Sequence, residues 1–95
     1  MHRDHPVNDW SAAVGENGQL IDVREPDEVA GGTLPGAVNI PLATIPERLG
    51  EIDRSRPVVL LCKSGGRSTQ AAQFLVAQGY DDVTNLDGGW LAYSG

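Results

Sequence analysis

The chain has 95 residues, a length that suits one small domain, and we expect residues 1–95 to form it, with residues 1–8 a poorly ordered terminus or a short first strand. Its formal net charge of −6 argues against nucleic acid as a partner, and no segment is long and apolar enough to cross a membrane. The single cysteine excludes an internal disulfide and, with a polar N-terminus unlike a signal peptide, leads us to expect a cytoplasmic location.

Short apolar runs alternate with helical patterns along the chain. In chain order we predict a helix at residues 10–14, a strand at 20–23, a short helix from Pro26, a strand at 37–40, a helix through Ile45, Leu49 and Ile52, a strand at 58–61, a helix at 67–78 and a strand at 83–86. Pro46 is expected in the first turn of its helix, and Gly79 just after the last helix. This alternation predicts an α/β fold with a small parallel sheet.

The candidate reactive residues follow the strand at 58–61 and run into the first turn of the helix at 67–78. They are Cys62, Lys63, Ser64, Gly65, Gly66, Arg67 and Ser68. A glycine-rich loop that opens a helix directs backbone N–H groups and the positive end of the helix dipole at an anion. The two serines add hydroxyls, and the lysine and arginine add positive charge. We therefore predict a reactive thiolate at Cys62 rather than a buried structural thiol.

Loop length separates two chemistries that use this layout. Four residues lie between Cys62 and Arg67, and Leu61 precedes the cysteine. Cysteine-based phosphatases place five residues there, usually with a histidine before the cysteine. The shorter loop predicts a cradle too tight for a phosphate ester and suited to the terminal sulfur of a persulfide. Dephosphorylation and oxyanion reduction are therefore disfavoured alternatives.

With this loop, the chain resembles the rhodanese family of single-domain sulfurtransferases. The matching segments follow the family's order and are residues 20–28 with a D-x-R-x-x-x-E pattern, residues 32–41 resembling G-H-I-P-G-A-x-N-I-P, residues 58–68, and residues 79–90 with a G-G turn. One departure is Thr33-Leu34, where the family usually has His-Ile. The resemblance implies a rhodanese-like three-layer fold, with helices on both faces of the sheet.

The resemblance also implies an activity. A sulfane sulfur would pass from a small anionic donor such as thiosulfate, or from a persulfide, through a Cys62 persulfide to a thiol or cyanide. The loop from Lys63 to Arg67 would bind the donor, no metal or organic cofactor is implied, and a sulfur-relay protein is a possible partner. Ser68, Asp22 and Arg24 would support the loop.

Asp22 and Arg24 have two interpretations. In the supporting role, Asp22 would bond backbone amides or Ser68, and Arg24 would pair with an acid such as Glu28. In the other, the two form an ion pair at a strand end with no catalytic part.

Three further alternatives concern the whole chain and its aromatic and histidine residues. A non-catalytic rhodanese-like binding or regulatory module is the competing class, although such modules generally lack the cysteine. The spacing of His2 and His5 could allow them to bind a metal ion. Because no further ligands accompany them, we expect both to lie in exposed terminal sequence. Trp90 either lines the mouth of the site or packs in the core.

Overall fold

The computed structural model describes residues 1–94 and contains one sheet of five parallel strands. The strands are β1 (Arg3–Pro6), β2 (Gln19–Asp22), β3 (Val38–Asn39), β4 (Val58–Leu61) and β5 (Val83–Asp87). Their order across the sheet is β1-β5-β4-β2-β3, so β4 lies in the centre. The helices are α1 (Trp10–Val14), α2 (Pro26–Ala30), α3 (Gly66–Ala77) and α4 (Gly89–Ala92). The predicted α/β fold is confirmed.

The sheet is covered on both faces, as a three-layer architecture requires. Every residue of β4 is buried, and alternate residues belong to opposite cores. Val58 and Leu60 join the core under α3, whereas Val59 and Leu61 join the core that includes Trp10 of α1 and Trp90 of α4. Burial on both faces explains why β4 is a continuous apolar run rather than an alternating one.

The N-terminal strand has a sequence that carries no strand pattern. Arg3–Pro6 reads RDHP, yet it pairs in parallel with β5, with Arg3 opposite Thr84 and Asp4 opposite Asn85. An edge strand hydrogen-bonds on one side only and tolerates polar residues and proline. The long-range pairing, rather than local propensity, therefore defines β1.

The helix predicted through Ile45, Leu49 and Ile52 is wrong in type. Residues Leu42–Glu51 form 3-10 turns, with a kink at Arg48 (φ −113°, ψ 17°) and with Pro46 inside the run. Proline has no N–H and its ring clashes with the preceding turn, so a continuous α-helix is not possible there. Ile45 and Ile52 are nevertheless buried and Leu49 packs against the same core, as their spacing suggested.

The strongest predicted helix is present, shifted by one residue to Gly66–Ala77. It begins after Gly65, whose φ is +108°, and Gly79 follows its end with a φ of +93°. These left-handed angles suit glycine and allow sharp turns at both ends of the helix. Since β4 ends immediately before Cys62, the carboxyl edge of the sheet carries the loop. Within residues 1–94, no helix has the length and apolar character needed to cross a membrane.

Candidate active site

The thiol of Cys62 lies at the floor of the loop between β4 and α3, and the residue is only 1% exposed. The backbone N–H of Gly65 donates to its Sγ at 2.9 Å, and the Ser68 hydroxyl lies 3.2 Å from the same atom. Gly65 is buried, whereas Lys63 and Ser64 are exposed at the surface of the loop. The loop therefore encloses the sulfur with hydrogen-bond donors.

These donors determine the protonation of the thiol. Burial raises the pKa of Cys62, but hydrogen bonds from Ser68, from the Gly65 amide and from the Ser64 amide outweigh it and leave the pKa below its ordinary value. The charge of Arg67 also interacts with Cys62. The arrangement favours a thiolate, which is the nucleophilic form of cysteine.

Arg67 reaches the site as one half of an ion pair. Its two terminal nitrogens donate to the two carboxylate oxygens of Glu28 at 2.6 and 2.9 Å. The Arg67 hydrogen bond, together with the Glu25 backbone N–H, lowers the pKa of Glu28 to about 2. The pair thus joins α2 to the first turn of α3. The positive charge of Arg67, which was expected to face an anionic sulfur donor, is partly neutralised by Glu28.

Asp22 and Arg24 pair with each other, as in the ion-pair interpretation, and not with the side-chain partners expected in the supporting role. Arg24 donates from Nε to Oδ1 and from a terminal nitrogen to Oδ2 of Asp22 at 3.0 and 2.7 Å, and both residues are at most 2% exposed. The Arg24 backbone N–H bonds Oδ1, as expected for an amide partner, but Ser68 does not bond this carboxylate. Glu28, the acid expected for Arg24, binds Arg67 instead.

The buried pair connects to the Cys62 loop through Trp90. The Arg24 guanidinium lies 5.2 Å from the centre of the Trp90 ring and also donates to the Gly32 carbonyl at 2.7 Å. Trp90 is half-buried and its backbone N–H donates to the Cys62 carbonyl at 2.8 Å. Leu91 donates in the same way to the Lys63 carbonyl at 3.0 Å. The first turn of α4 therefore holds the start of the loop, and Trp90 packs in the core of that face.

Sequence reasoning missed one buried polar residue beside the thiol. Asn85, 2% exposed on β5, accepts a hydrogen bond from Ser68 and donates to Asp4 at 3.0 Å. The available signal was an asparagine within the apolar strand at 83–86, since a buried amide needs partners.

The two terminal histidines lie near separate acids. His5 is 2.9 Å from Asp9, and His2 is 3.5 Å from Asp4. Among the residues that the structure describes, no group of three or more histidine, cysteine and acidic side chains could hold a metal ion.

Comparison with known proteins gives consistent matches. The sequence model of the rhodanese-like domain matches residues 7–95. A protein named sulfurtransferase from Allochromatium vinosum is 47% identical over 75 residues, covering 79% of this chain and 70% of its own. A protein named thiosulfate sulfurtransferase GlpE from Shewanella oneidensis is 39% identical over 75 residues, covering 79% of this chain and 74% of its own.

A solved structure matches over almost the whole chain. The crystal structure of reduced CoADR-RHD from Bacillus anthracis superimposes with a TM-score of 0.90 at 36% identity. The match covers 97% of this chain but only 16% of that protein, so the chain corresponds to one part of a much longer polypeptide there.

Proposed function

The chain belongs to the rhodanese-like domain family, and we propose that it is a sulfurtransferase in which Cys62 carries the transferred sulfur as a persulfide. The observation that carries this proposal is the enclosed sulfur, which receives a hydrogen bond from the Gly65 amide at 2.9 Å and lies 3.2 Å from the Ser68 hydroxyl. These donors favour an ionised sulfur, and the relatives named sulfurtransferase support this type of reaction.

In the first half-reaction, the Cys62 thiolate attacks the outer sulfur of thiosulfate. A bond forms between Sγ and that sulfur, the sulfur–sulfur bond of thiosulfate breaks, and its electron pair leaves with sulfite. The product is a persulfide with its negative charge on the terminal sulfur. No proton is transferred, because a thiolate attacks without a general base. No outside oxidant is consumed, because one sulfur–sulfur bond is exchanged for another.

In the second half-reaction, an acceptor attacks the terminal sulfur and Cys62 leaves as the thiolate. Cyanide would give thiocyanate, and a thiolate acceptor would give a new persulfide. We propose a thiol as the acceptor in the cytoplasm, with a sulfur-relay protein as a further partner. No metal or organic cofactor is needed for either step.

The remaining site residues have roles that follow from their contacts. The loop from Lys63 to Arg67 would hold the donor and the terminal sulfur, with the exposed Lys63 supplying charge for an anionic donor. Arg67 would orient the donor from its position beside Glu28. Asp22 and Arg24 would act indirectly, since their ion pair supports Trp90, whose N–H holds the Cys62 carbonyl.

The test is the intact mass of the protein after incubation with thiosulfate, with Cys62→Ser as the control. We expect a gain of ~32 Da on the parent alone, removed by cyanide or by reductant. Cys62→Ser should keep the circular dichroism spectrum of the parent and lose turnover.

If thiosulfate adds no mass, the experiment is repeated with a desulfurase-generated protein persulfide as donor. Labelling by that donor alone would reject thiosulfate and keep sulfur transfer. No labelling by either donor would overturn the proposed function and favour the non-catalytic module. Labelling of Cys62→Ser would exclude Cys62 as the carrier.

A further inference from the structure

The Asn85 side chain bridges the active-site hydroxyl and the edge strand. Its Oδ1 accepts a hydrogen bond from Ser68, and its Nδ2 donates to Asp4 Oδ1 at 3.0 Å. Asn85 is 2% exposed, whereas the side chain of Asp4 is 61% exposed. The two residues face each other directly in the register of β1 and β5.

Ser68 has one hydroxyl hydrogen and three acceptors within reach. These are the Sγ of Cys62 at 3.2 Å, the carbonyl of Gly65 at 3.1 Å, and the Oδ1 of Asn85. A hydroxyl carries a single hydrogen, so these acceptors compete for it. When Ser68 donates to Asn85, the sulfur loses that hydrogen bond.

Asp4 sets which end of the Asn85 amide faces Ser68. With Nδ2 toward Asp4, the amide donates to a carboxylate and presents Oδ1 to the hydroxyl. The reversed amide would place Oδ1 against the carboxylate, two acceptors facing each other, and would lose the hydrogen bond. The acid on β1 therefore keeps an acceptor pointed at Ser68.

We propose that Asn85 is a positioning residue that offers Ser68 an alternative acceptor, so that the hydroxyl turns to Cys62 when the sulfur is ionised and to Asn85 when it is not. This rests on the proposed function, in which Cys62 alternates between thiolate and persulfide. In the thiolate, the charge on Sγ attracts the hydroxyl hydrogen. In the persulfide, the charge moves to the terminal sulfur and Sγ becomes a weak acceptor. Asn85 then keeps the buried hydroxyl paired.

The charged groups around this network are few in the described part of the chain. On β1, Asp4 bonds Asn85, and His2 lies 3.5 Å from the same carboxylate oxygen. On α3, the Arg67 charge interacts with Cys62, and Glu28 of α2 is paired with that arginine.

The test measures the pKa of Cys62 from the pH dependence of its alkylation by iodoacetamide, with no sulfur donor present. Asn85→Ala removes the competing acceptor, so Ser68 donates more fully to the thiolate and the thiol pKa should fall. The isosteric exchange Asn85→Asp with Asp4→Asn places a stronger, negatively charged acceptor beside Ser68. The thiol pKa should then rise by about one unit, which lowers the thiolate fraction about tenfold at any pH well below the pKa.

Two controls separate positioning from structure. Thr84→Val changes the neighbouring residue of β5 and should leave the thiol pKa unchanged. In a Ser68→Ala background, Asn85→Ala should no longer alter the pKa, because the hydroxyl that connects the two groups is absent. If Asn85→Ala does not fold, the isosteric exchange tests the proposal alone, through the expected rise in the thiol pKa.

The outcomes are separable from those of the proposed function. Opposite pKa shifts in the two Asn85 variants, lost without Ser68, would support the inference even if no persulfide forms. Unchanged values, or shifts of the same sign, would overturn it even if Cys62 accepts sulfur from thiosulfate.

Discussion

Replacing Gly89 with alanine is expected to damage the Cys62 loop through the backbone, without changing a side chain of the site. A Cβ on Gly89 would lie 2.6 Å from the Cys62 carbonyl oxygen and 2.6 Å from the Lys63 carbonyl carbon and oxygen. Real Cβ atoms do not approach backbone atoms so closely, and no side-chain rotation relieves the overlap. The loop and the start of α4 must therefore separate.

The magnitude follows from what separation breaks and from the backbone angle. Gly89 has a φ of +62°, so alanine there carries a conformational penalty of about 1–2 kcal/mol. Separation also weakens the Trp90 N–H bond to Cys62 and the Leu91 N–H bond to Lys63. At about 0.5–1.5 kcal/mol each, the two bonds add about 1–3 kcal/mol.

Gly36→Ala is the matched control for the conformational penalty. Gly36 has a φ of +81°, and an added Cβ would meet no atom within 4 Å. Urea denaturation followed by tryptophan fluorescence should therefore show Gly89→Ala less stable than Gly36→Ala by about 1–3 kcal/mol. Gly89→Ala should also raise the thiol pKa of Cys62, measured from the pH dependence of its alkylation, since displacement of the loop weakens the hydrogen bonds to the thiolate. Equal stability and an equal thiol pKa in the two variants would refute the reasoning.

Asp22→Asn should lower the free energy of unfolding by about 3–5 kcal/mol in urea, since it leaves the buried Arg24 charge uncompensated. Thr33→Val removes only one hydrogen bond to the same carboxylate and should cost about 1 kcal/mol; equal losses would contradict a special role of the ion pair. The folded pKa of Glu28, about 2, lies below its ordinary 4.5, so its pairing with Arg67 stabilises fully above pH 4.5 and is lost toward pH 2. Across that range, the Tm of Glu28→Gln should fall less than that of the parent; parallel falls would contradict the assignment.

The central parts of the fold could be predicted because their signals are local. The strand at 58–61 is buried on both faces and is therefore a continuous apolar run, which the sequence displays directly. The helix that follows lies between a glycine-rich loop and Gly79, and both boundaries were predicted to within one residue. By contrast, β1 depends on pairing with β5, and its polar sequence has no local strand signal. The 3-10 run shows how Pro46 overrides a helical spacing of apolar residues.

In the site, the loop could be predicted but the pairing of its charges could not. Cys62, Gly65 and Ser68 lie within seven consecutive residues, so strand–loop–helix geometry alone brings them together. Arg67 and Glu28 are 39 residues apart, and composition does not indicate which acid meets which cation. Arg24 pairs with Asp22, as in one of the two interpretations, and not with Glu28, which meets Arg67.

The parallel pairing of β1 with β5 has a consequence for the order of folding. Arg3 lies opposite Thr84, so the first strand of the chain cannot take its place until the last strand has been synthesised. Strands β4, β2 and β3 are neighbours in the sheet and can pair before β5 is available. β1 can therefore join the sheet only with β5 or after it. The contact between Asp4 and Asn85 therefore requires both ends of the chain, whereas the pairing of β2 with β4, which precedes the thiol loop, does not.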